Sequence, residues 1–356
     1  MNRAGFLLFI ITVFLSAVGI FILYESSSYT AMLNIGDKYY FVKNQTVWLV
    51  LGIFLSLLIS KIEYKKLYNL ALPSLIVTIL LLLLVFIPGI GLELKGSHRW
   101  IDLRFIVFQP SELLKISLTL YLAAWLSNKE EGRLLAFMII FALCTFLVVI
   151  QPDMGTSFII AATSIIIYFL ANSPIRDMII MSAILVMGIF IFIKAEPYRV
   201  SRLESFREFD HSNISKAPYH IKQILIALGS GGVSGVGIGK SVQKYAYLPE
   251  NTTDSIFAIY AEETGFIGSV FLISLFLFQS FLGFLISLKI KDKFGKLLAS
   301  GIIAFLSIQA IVNIASQAVL VPLTGVPLPF VSYGGSSMLI NFASIGILMN
   351  ISRHIK

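Results

Sequence analysis

An all-α polytopic membrane protein is the fold class this sequence predicts, and three observations predict it. Hydrophobic residues make up 57% of the 356 residues and charged residues only 13%, against roughly 45–50% and 25% in soluble domains. Mean hydropathy is +0.89. Apolar stretches of the roughly 20 residues needed to cross a bilayer recur along the whole chain. The length would admit two soluble domains, but here it is taken up by the spans of one transmembrane domain, residues 1–356.

The windows place about ten helices, near 4–24, 45–60, 67–89, 110–127, 134–150, 155–171, 178–194, 255–288, 297–321 and 336–352. The first is too long for the core of a cleaved signal peptide, and Glu25-Ser26-Ser27-Ser28 follows it in place of a cleavage site. It is read as a retained span. The eighth is long for one crossing and is expected to begin above the lipid. Cys144 is the single cysteine, so neither a disulfide nor a thiolate metal site is expected.

Orientation follows from the short loops. With the N-terminus inside, the cytoplasmic segments hold thirteen basic residues (among them Lys61, Lys65, Lys66, Lys289, Lys291 and Lys293) against five acids. The excess equals the chain's net charge of +8 and leaves the other side neutral. It predicts both termini in the cytoplasm. The basic balance is therefore a topology signal, and nucleic acid is not an expected partner. A loop of about 60 residues, 195–254, is then external, between the seventh and eighth helices. Loops of that length in compact proteins are usually functional. Within it, Ile221, Ile224, Leu225 and Leu228 form a helical stripe suited to the membrane interface.

Several external stretches carry chemistry. "GSGGVSGVGIGKS" (Gly229–Ser241) ends like a phosphate-binding P-loop, but Ser234 replaces the first glycine that motif requires. A re-entrant hairpin and a backbone cradle for phosphates both remain open. "YRVSRL" supplies Arg199 and Arg202, three apart and able to face one way, suited to phosphate oxygens or lipid headgroups. In "FQPSELLK", Pro110 and Glu112 suit a helix start, while Lys115 lies a turn deeper, as partner of Glu112 or as part of a site. Asp153 in "QPDMGTS" reads as a helix cap. "PLTGVPLPFVSYGGSS" reads as a rigid irregular loop, either buried in protein or lining a cavity. The histidines lack zinc-ligand spacing, and "GGSS" is not a serine nucleophile elbow. In "YLPENTTDSIFAIYAEETGFIG", four acids, Glu250, Asp254, Glu262 and Glu263, lead into an apolar helix. Asp254 stands at that helix's start, as its cap or as a reactive carboxylate. A group-transfer site outside the cell, without ATP, would need a donor that is already activated.

"GSHRWI", "QPSELLK", "QPDMGT", "YRVSRL", "LGSGG", "YLPENTTDSIFA", "EETGFIG" and "PLPFVSYGGSS" occur in the order of the bacterial SEDS family, the shape, elongation, division and sporulation proteins. The chain resembles that family from its first helix to its last. "ILYESSSYTAM" and "YYFVKNQTVWLVLG" are more similar to the cell-division (FtsW-like) branch than to the elongation or sporulation branches. It departs from the family pattern at Ser255, usually phenylalanine, at Thr252, often histidine, and in "REFDHSNISK", where a "DPW" segment is expected.

The resemblance implies a peptidoglycan glycosyltransferase that polymerises lipid II, the undecaprenyl-pyrophosphate-linked disaccharide-pentapeptide, for septal wall synthesis at the outer face of the cytoplasmic membrane. It also implies a class B penicillin-binding transpeptidase and other division proteins as partners. A sugar pyrophosphate needs no acid for its leaving group, unlike the two-carboxylate glycosidases. It needs a base for the attacking hydroxyl and cations for the departing charge. Asp254 matches the family's catalytic aspartate. Arg199, Arg202 and Lys115 are the expected cations, with Glu112 positioning Lys115. Ser111, Glu250 and Glu262 complete the expected substrate-binding set. No fixed cofactor or metal site is expected, although a divalent cation such as magnesium is compatible with this chemistry. A lipid II flippase and a non-catalytic division scaffold are the competing classes. Repeats and broken or charged helices at the midplane would favour the flippase, and a dispensable Asp254 would favour the scaffold.

Overall fold

The computed structural model describes residues 3–94, 96–102, 104, 107–128, 132–194 and 217–355. Among them eleven α-helices run in order: α1 (Arg3–Ile35), α2 (Tyr40–Ile59), α3 (Leu67–Leu84), α4 (Pro110–Ser127), α5 (Leu134–Ile150), α6 (Met154–Leu170), α7 (Ile175–Lys194), α8 (Tyr219–Gly231), α9 (Ile256–Lys289), α10 (Lys293–Gln317) and α11 (Gly335–Arg353). Six of them, α1, α2, α3, α9, α10 and α11, are long and apolar enough to cross a bilayer, and α5 and α6 are shorter apolar helices. The protein is an all-α polytopic membrane protein.

Lipid is as apolar as a protein core, so most of these helices are apolar on every side. The inside is marked by polar and small residues instead. Gln309, Asn313, Asn341 and Asn350 are buried, while Phe14, Phe54, Leu80 and Phe281 face outward. The apolar stretch of α11 is 83% buried and that of α10 is 67% buried, against 22% for α2 and α3. Helices α10 and α11 are therefore central. Helix α11 packs on α2, α10 on α4, α6 and α9, and α9 on α1. Close approach of α2 and α11 rests on small residues: Cβ atoms at Gly52 and Gly346 would run into Phe342 and Ser56. Gln279 Nε2 donates to Thr12 Oγ1 at 2.8 Å, tying α9 to α1.

The elements depart from the sequence expectation in three places. Helix α1 runs 11 residues beyond Tyr24, to Ile35. The serines that suggest its end are buried, the Ser26 hydroxyl donates to Leu23 O, and Asn251 Nδ2 donates to Ser26 O and Thr30 Oγ1. Tertiary contact sustains the helix where local composition does not. Second, α3 stops at Leu84, and a three-stranded antiparallel sheet follows: β1 (Gly91–Leu94), β2 (Ser97–Asp102) and β3 (Val107–Phe108). Third, α9 is broken at Gly265, whose φ is 67°.

Of the expected external loop, residues 217–254 are described. The helical stripe is there as α8, with Ile221, Ile224 and Ala227 buried against Leu248, Ala258, Ile259 and Val319. It packs on protein and does not lie free in the interface.

Candidate active site

The glycine-rich segment after α8 is a hairpin that fits into the break in α9. A break in a helix leaves main-chain groups without partners. Here Phe266 N donates to Gly232 O and Ile267 N to Val233 O, while Val236 N and Gly237 N donate to Glu262 O and Glu263 O. The amides of Ser241, Val242 and Gln243 point at the Glu262 and Glu263 carboxylates. These amides already have acceptors within the protein, so the hairpin reading holds for this segment and the phosphate cradle does not.

The same packing explains two of the four acids. Glu262 and Glu263 are 2% and 4% exposed. Glu262 accepts from the Ser241 hydroxyl, from Val242 N at 3.2 Å and from Gln243 N at 3.3 Å. Glu263 pairs with Lys244 at 3.0 Å, and Lys244 pairs with Glu25 of α1 at 2.9 Å. Burial pulls the Lys244 ammonium down, but the Glu25 and Glu263 carboxylates outweigh it and hold its pKa above the ordinary value. Glu262, an expected substrate-binding residue, is thus an anchor for the hairpin.

Asp254 is half-buried in the turn just before α9. The N-cap position of α9 is Ser255, so the cap reading does not fit Asp254. Three consecutive carbonyls of this turn are held from across the bundle. Tyr333 N donates to Thr252 O at 3.0 Å, Ser332 Oγ to Thr253 O at 2.5 Å, and Asn313 Nδ2 to Asp254 O at 3.0 Å. The proline-rich loop that supplies Ser332 and Tyr333 also brings exposed Gly325, at φ 70°, beside the carboxylate. A Cβ there would stand 3.6 Å from Asp254 Oδ2. The arrangement is a half-buried carboxylate on a turn that its neighbours fix. Glu250, at φ 54°, shapes the same turn: its main-chain oxygen accepts from Ser255 N, and its carboxylate accepts from Thr253 Oγ1.

Lys115 lies deeper, with its side chain 1% exposed. Its ammonium is 2.9 Å from both carboxylate oxygens of Glu112 and donates to Gln309 Oε1 at 2.6 Å. The pairing with Glu112 is present, and the ammonium turns inward to α10. Ser111 is fully buried, and its hydroxyl has no hydrogen-bond partner among the described residues. Arg199 and Arg202 lie outside the described residues.

Other motifs picked out in the sequence serve the scaffold. Arg99 of β2 donates to Gln151 O and Pro152 O, at 2.9 and 2.5 Å. Asp153 accepts from Thr156 N, capping α6 as expected, and from Gln109 Nε2. Among the described residues, no three His, Cys, Asp or Glu side chains gather as a metal centre.

Sequence reading did not single out Gln309, Asn313, Lys244, Glu25 or His220. His220 of α8 bonds the Ser255 hydroxyl at 2.8 Å, so the serine that departs from the family pattern has its own partner. The spacing Gln309, Asn313, Gln317 was a usable signal, with amides every fourth residue along an apolar helix.

The sequence profile shared by FtsW, RodA and SpoVE, described as "Cell cycle protein", matches residues 6–356. The chain belongs to the SEDS family. Among SEDS relatives, "Stage V sporulation protein E" of Bacillus subtilis (strain 168) is 35% identical, over 98% of this chain and 96% of that protein. "Probable peptidoglycan glycosyltransferase FtsW" of Trichlorobacter lovleyi is 37% identical, over 98% and 93%. The crystal structure of an aspartate-to-alanine mutant of the rod shape determining protein RodA of Thermus thermophilus superposes with a TM-score of 0.70, at 26% identity, covering 97% of each chain. A chain in the structure entitled "Structural coordination of polymerization and crosslinking by a peptidoglycan synthase complex" gives a TM-score of 0.79 at 24% identity, covering 97% of this chain and 96% of that one. This last likeness is one of SEDS fold.

Proposed function

We propose that this protein is a peptidoglycan glycosyltransferase that polymerises lipid II at the outer face of the cytoplasmic membrane, for septal wall synthesis. The observation that carries the reading is Asp254: one half-buried carboxylate on a turn whose three carbonyls are clamped. Relatives named as peptidoglycan glycosyltransferases share its whole length. Asp254 takes the proton of the acceptor sugar's hydroxyl as that oxygen bonds to the donor's anomeric carbon. The bond from that carbon to the pyrophosphate breaks, and the pyrophosphate leaves as an anion that needs no general acid. Arg199 and Arg202 neutralise the departing charge through forked contacts. Lys115 serves from within, through its partners, since its ammonium is bound to Glu112 and Gln309. A divalent cation such as magnesium is compatible with this chemistry.

Both termini lie in the cytoplasm on this reading, and the basic excess of the inner segments supports it. A class B penicillin-binding transpeptidase is the proposed partner, supported by the fold shared with a chain of a peptidoglycan synthase complex. The break in α9 and the buried Glu112–Lys115 pair in α4 are features a flippase would share. The main-chain groups at the break are bonded to the glycine-rich hairpin, and Lys115 is held by Glu112 and Gln309, so the enzyme is favoured. Purified protein, in detergent for polymerisation and in sealed liposomes for leaflet transfer, is given lipid II with and without the transpeptidase to test the function. Glycan polymer is the expected product, and transfer of lipid II between leaflets with no polymer would overturn the proposal.

A further inference from the structure

We propose that Gln309 and Asn313 are positioning residues that hold Asp254 in place through its main chain, and that the buried Glu112–Lys115 pair acts on the reaction through them. The inference rests on the reading of Asp254 as the base.

Gln309 and Asn313 lie one turn apart on the same face of α10 and are 0% and 1% exposed. The Asn313 amide nitrogen donates to Asp254 O at 3.0 Å and to Val326 O at 2.7 Å. One NH₂ group therefore ties two segments together: the reactive residue's own carbonyl, and the residue next to Gly325. Two carbonyl acceptors also fix which way the amide points. Gln309 does the equivalent one turn back. Its nitrogen donates to Pro327 O at 2.9 Å, and its oxygen accepts from the Lys115 ammonium at 2.6 Å. A carboxylate could accept from Lys115 but could not donate to Pro327, whereas an amide does both. The path from the ion pair to the base is thus Glu112, Lys115, Gln309, the Pro327 and Val326 main chain, Asn313, Asp254.

Asp254 needs such support because its turn precedes α9, whose N-cap is Ser255. A general base works only within hydrogen-bond reach of the proton it takes, and misplacement by about 1 Å can cost on the order of 100-fold in rate. Asn313 also carries a cost. Its Oδ1 is buried and has no hydrogen-bond partner among the described residues. A residue kept for stability alone would be expected to satisfy both ends of its amide.

The test measures kcat and KM for lipid II polymerisation, with thermal unfolding alongside, for the full chain in detergent with its transpeptidase. Asn313→Ala is expected to lower kcat roughly 10- to 100-fold, with KM within about 2-fold and unfolding little changed. Gln309→Glu, which keeps the contact to Lys115 and loses the one to Pro327, should lower kcat as Gln309→Leu does. If Asn313→Ala fails to fold, the Gln309 pair carries the test. Lys115→Met combined with Gln309→Leu should lose little more than the worse single variant, since both act along one path. Ser316→Ala, whose hydroxyl bonds only its own helix at Asn313 O, is the control and should match wild type. Wild-type kcat in Asn313→Ala and Gln309→Glu, or losses confined to KM or to stability, would overturn the proposal. Wild-type polymerisation by Asp254→Asn would instead overturn the base reading.

Discussion

Gly235 and Gly265 meet backbone to backbone: a Cβ on Gly235 would overlap the Glu263 carbonyl, and one on Gly265 would overlap the Gly235 amide nitrogen. Both residues sit at positive φ, 80° and 67°. A side chain at either position therefore meets steric overlap and an unfavourable backbone at once. Gly265→Ala and Gly235→Ala should each cost about 3 kcal/mol, read as lowered thermal stability in detergent. Gly268→Ala should also destabilise, since a Cβ there would overlap both Oγ1 and Cβ of Thr264. Equal stability of Gly265→Ala and wild type would mean that the hairpin does not depend on the break.

Lys244 holds two buried carboxylates together, so Lys244→Met leaves Glu25 and Glu263 facing each other without a cation. Removing one partner of a buried pair costs on the order of 3–5 kcal/mol. The pH dependence has a definite sign. The folded pKa of Lys244 is raised above 10.5, so its contribution is fully present below that value and is lost as pH rises through the folded pKa. Unfolding followed between pH 7 and 11 should show this loss in wild type at the alkaline end and not in Lys244→Met.

Glu262→Gln places an amide where two main-chain N–H groups and the Ser241 hydroxyl point at a carboxylate. Losing charge-assisted bonds of this kind costs about 1–3 kcal/mol. The expected outcome is lower thermal stability with polymerisation retained at temperatures where the variant is folded. Inactivity of a fully folded Glu262→Gln would return this residue to the substrate-binding set.

The pair His220 and Ser255 joins α8 to the residue after Asp254. A double-mutant cycle with His220→Ala and Ser255→Ala should give a coupling of about 1 kcal/mol in unfolding free energy. Strict additivity would mean that the two side chains do not interact in solution.

The transmembrane frame was legible because long apolar windows need no partner to be recognised: a helix overlaps each of the ten windows. What the windows missed depends on distant contacts. Helix α1 continues past Tyr24 because Asn251 reaches back to Ser26 and Thr30. A lone glycine in a helical pattern is no signal of a break, and the hairpin that opens α9 at Gly265 is some 30 residues away in sequence. The strands are too short for alternation to stand out. At the site, Asp254 was legible by its place before the helix and by family motif. Its clamp was not, because Asn313 and Ser332 bond main-chain carbonyls 59 and 79 residues away, and such bonds leave no local pattern. Lys115 read as a candidate phosphate contact because sequence alone does not reveal that Gln309 draws the ammonium inward.

The most direct measurement is lipid II polymerisation by Asp254→Asn. Asparagine keeps the size of the side chain, the N-cap of α9 is the next residue, and the three clamping bonds go to main-chain carbonyls that the substitution leaves untouched. The variant should therefore fold and unfold like wild type. It cannot take a proton at neutral pH, and general-base catalysis typically contributes about 10²–10⁴-fold. Polymerisation reduced by that factor in a folded, membrane-inserted protein is the predicted result. Near-wild-type polymer from the same preparation would contradict the assignment of Asp254 as the base.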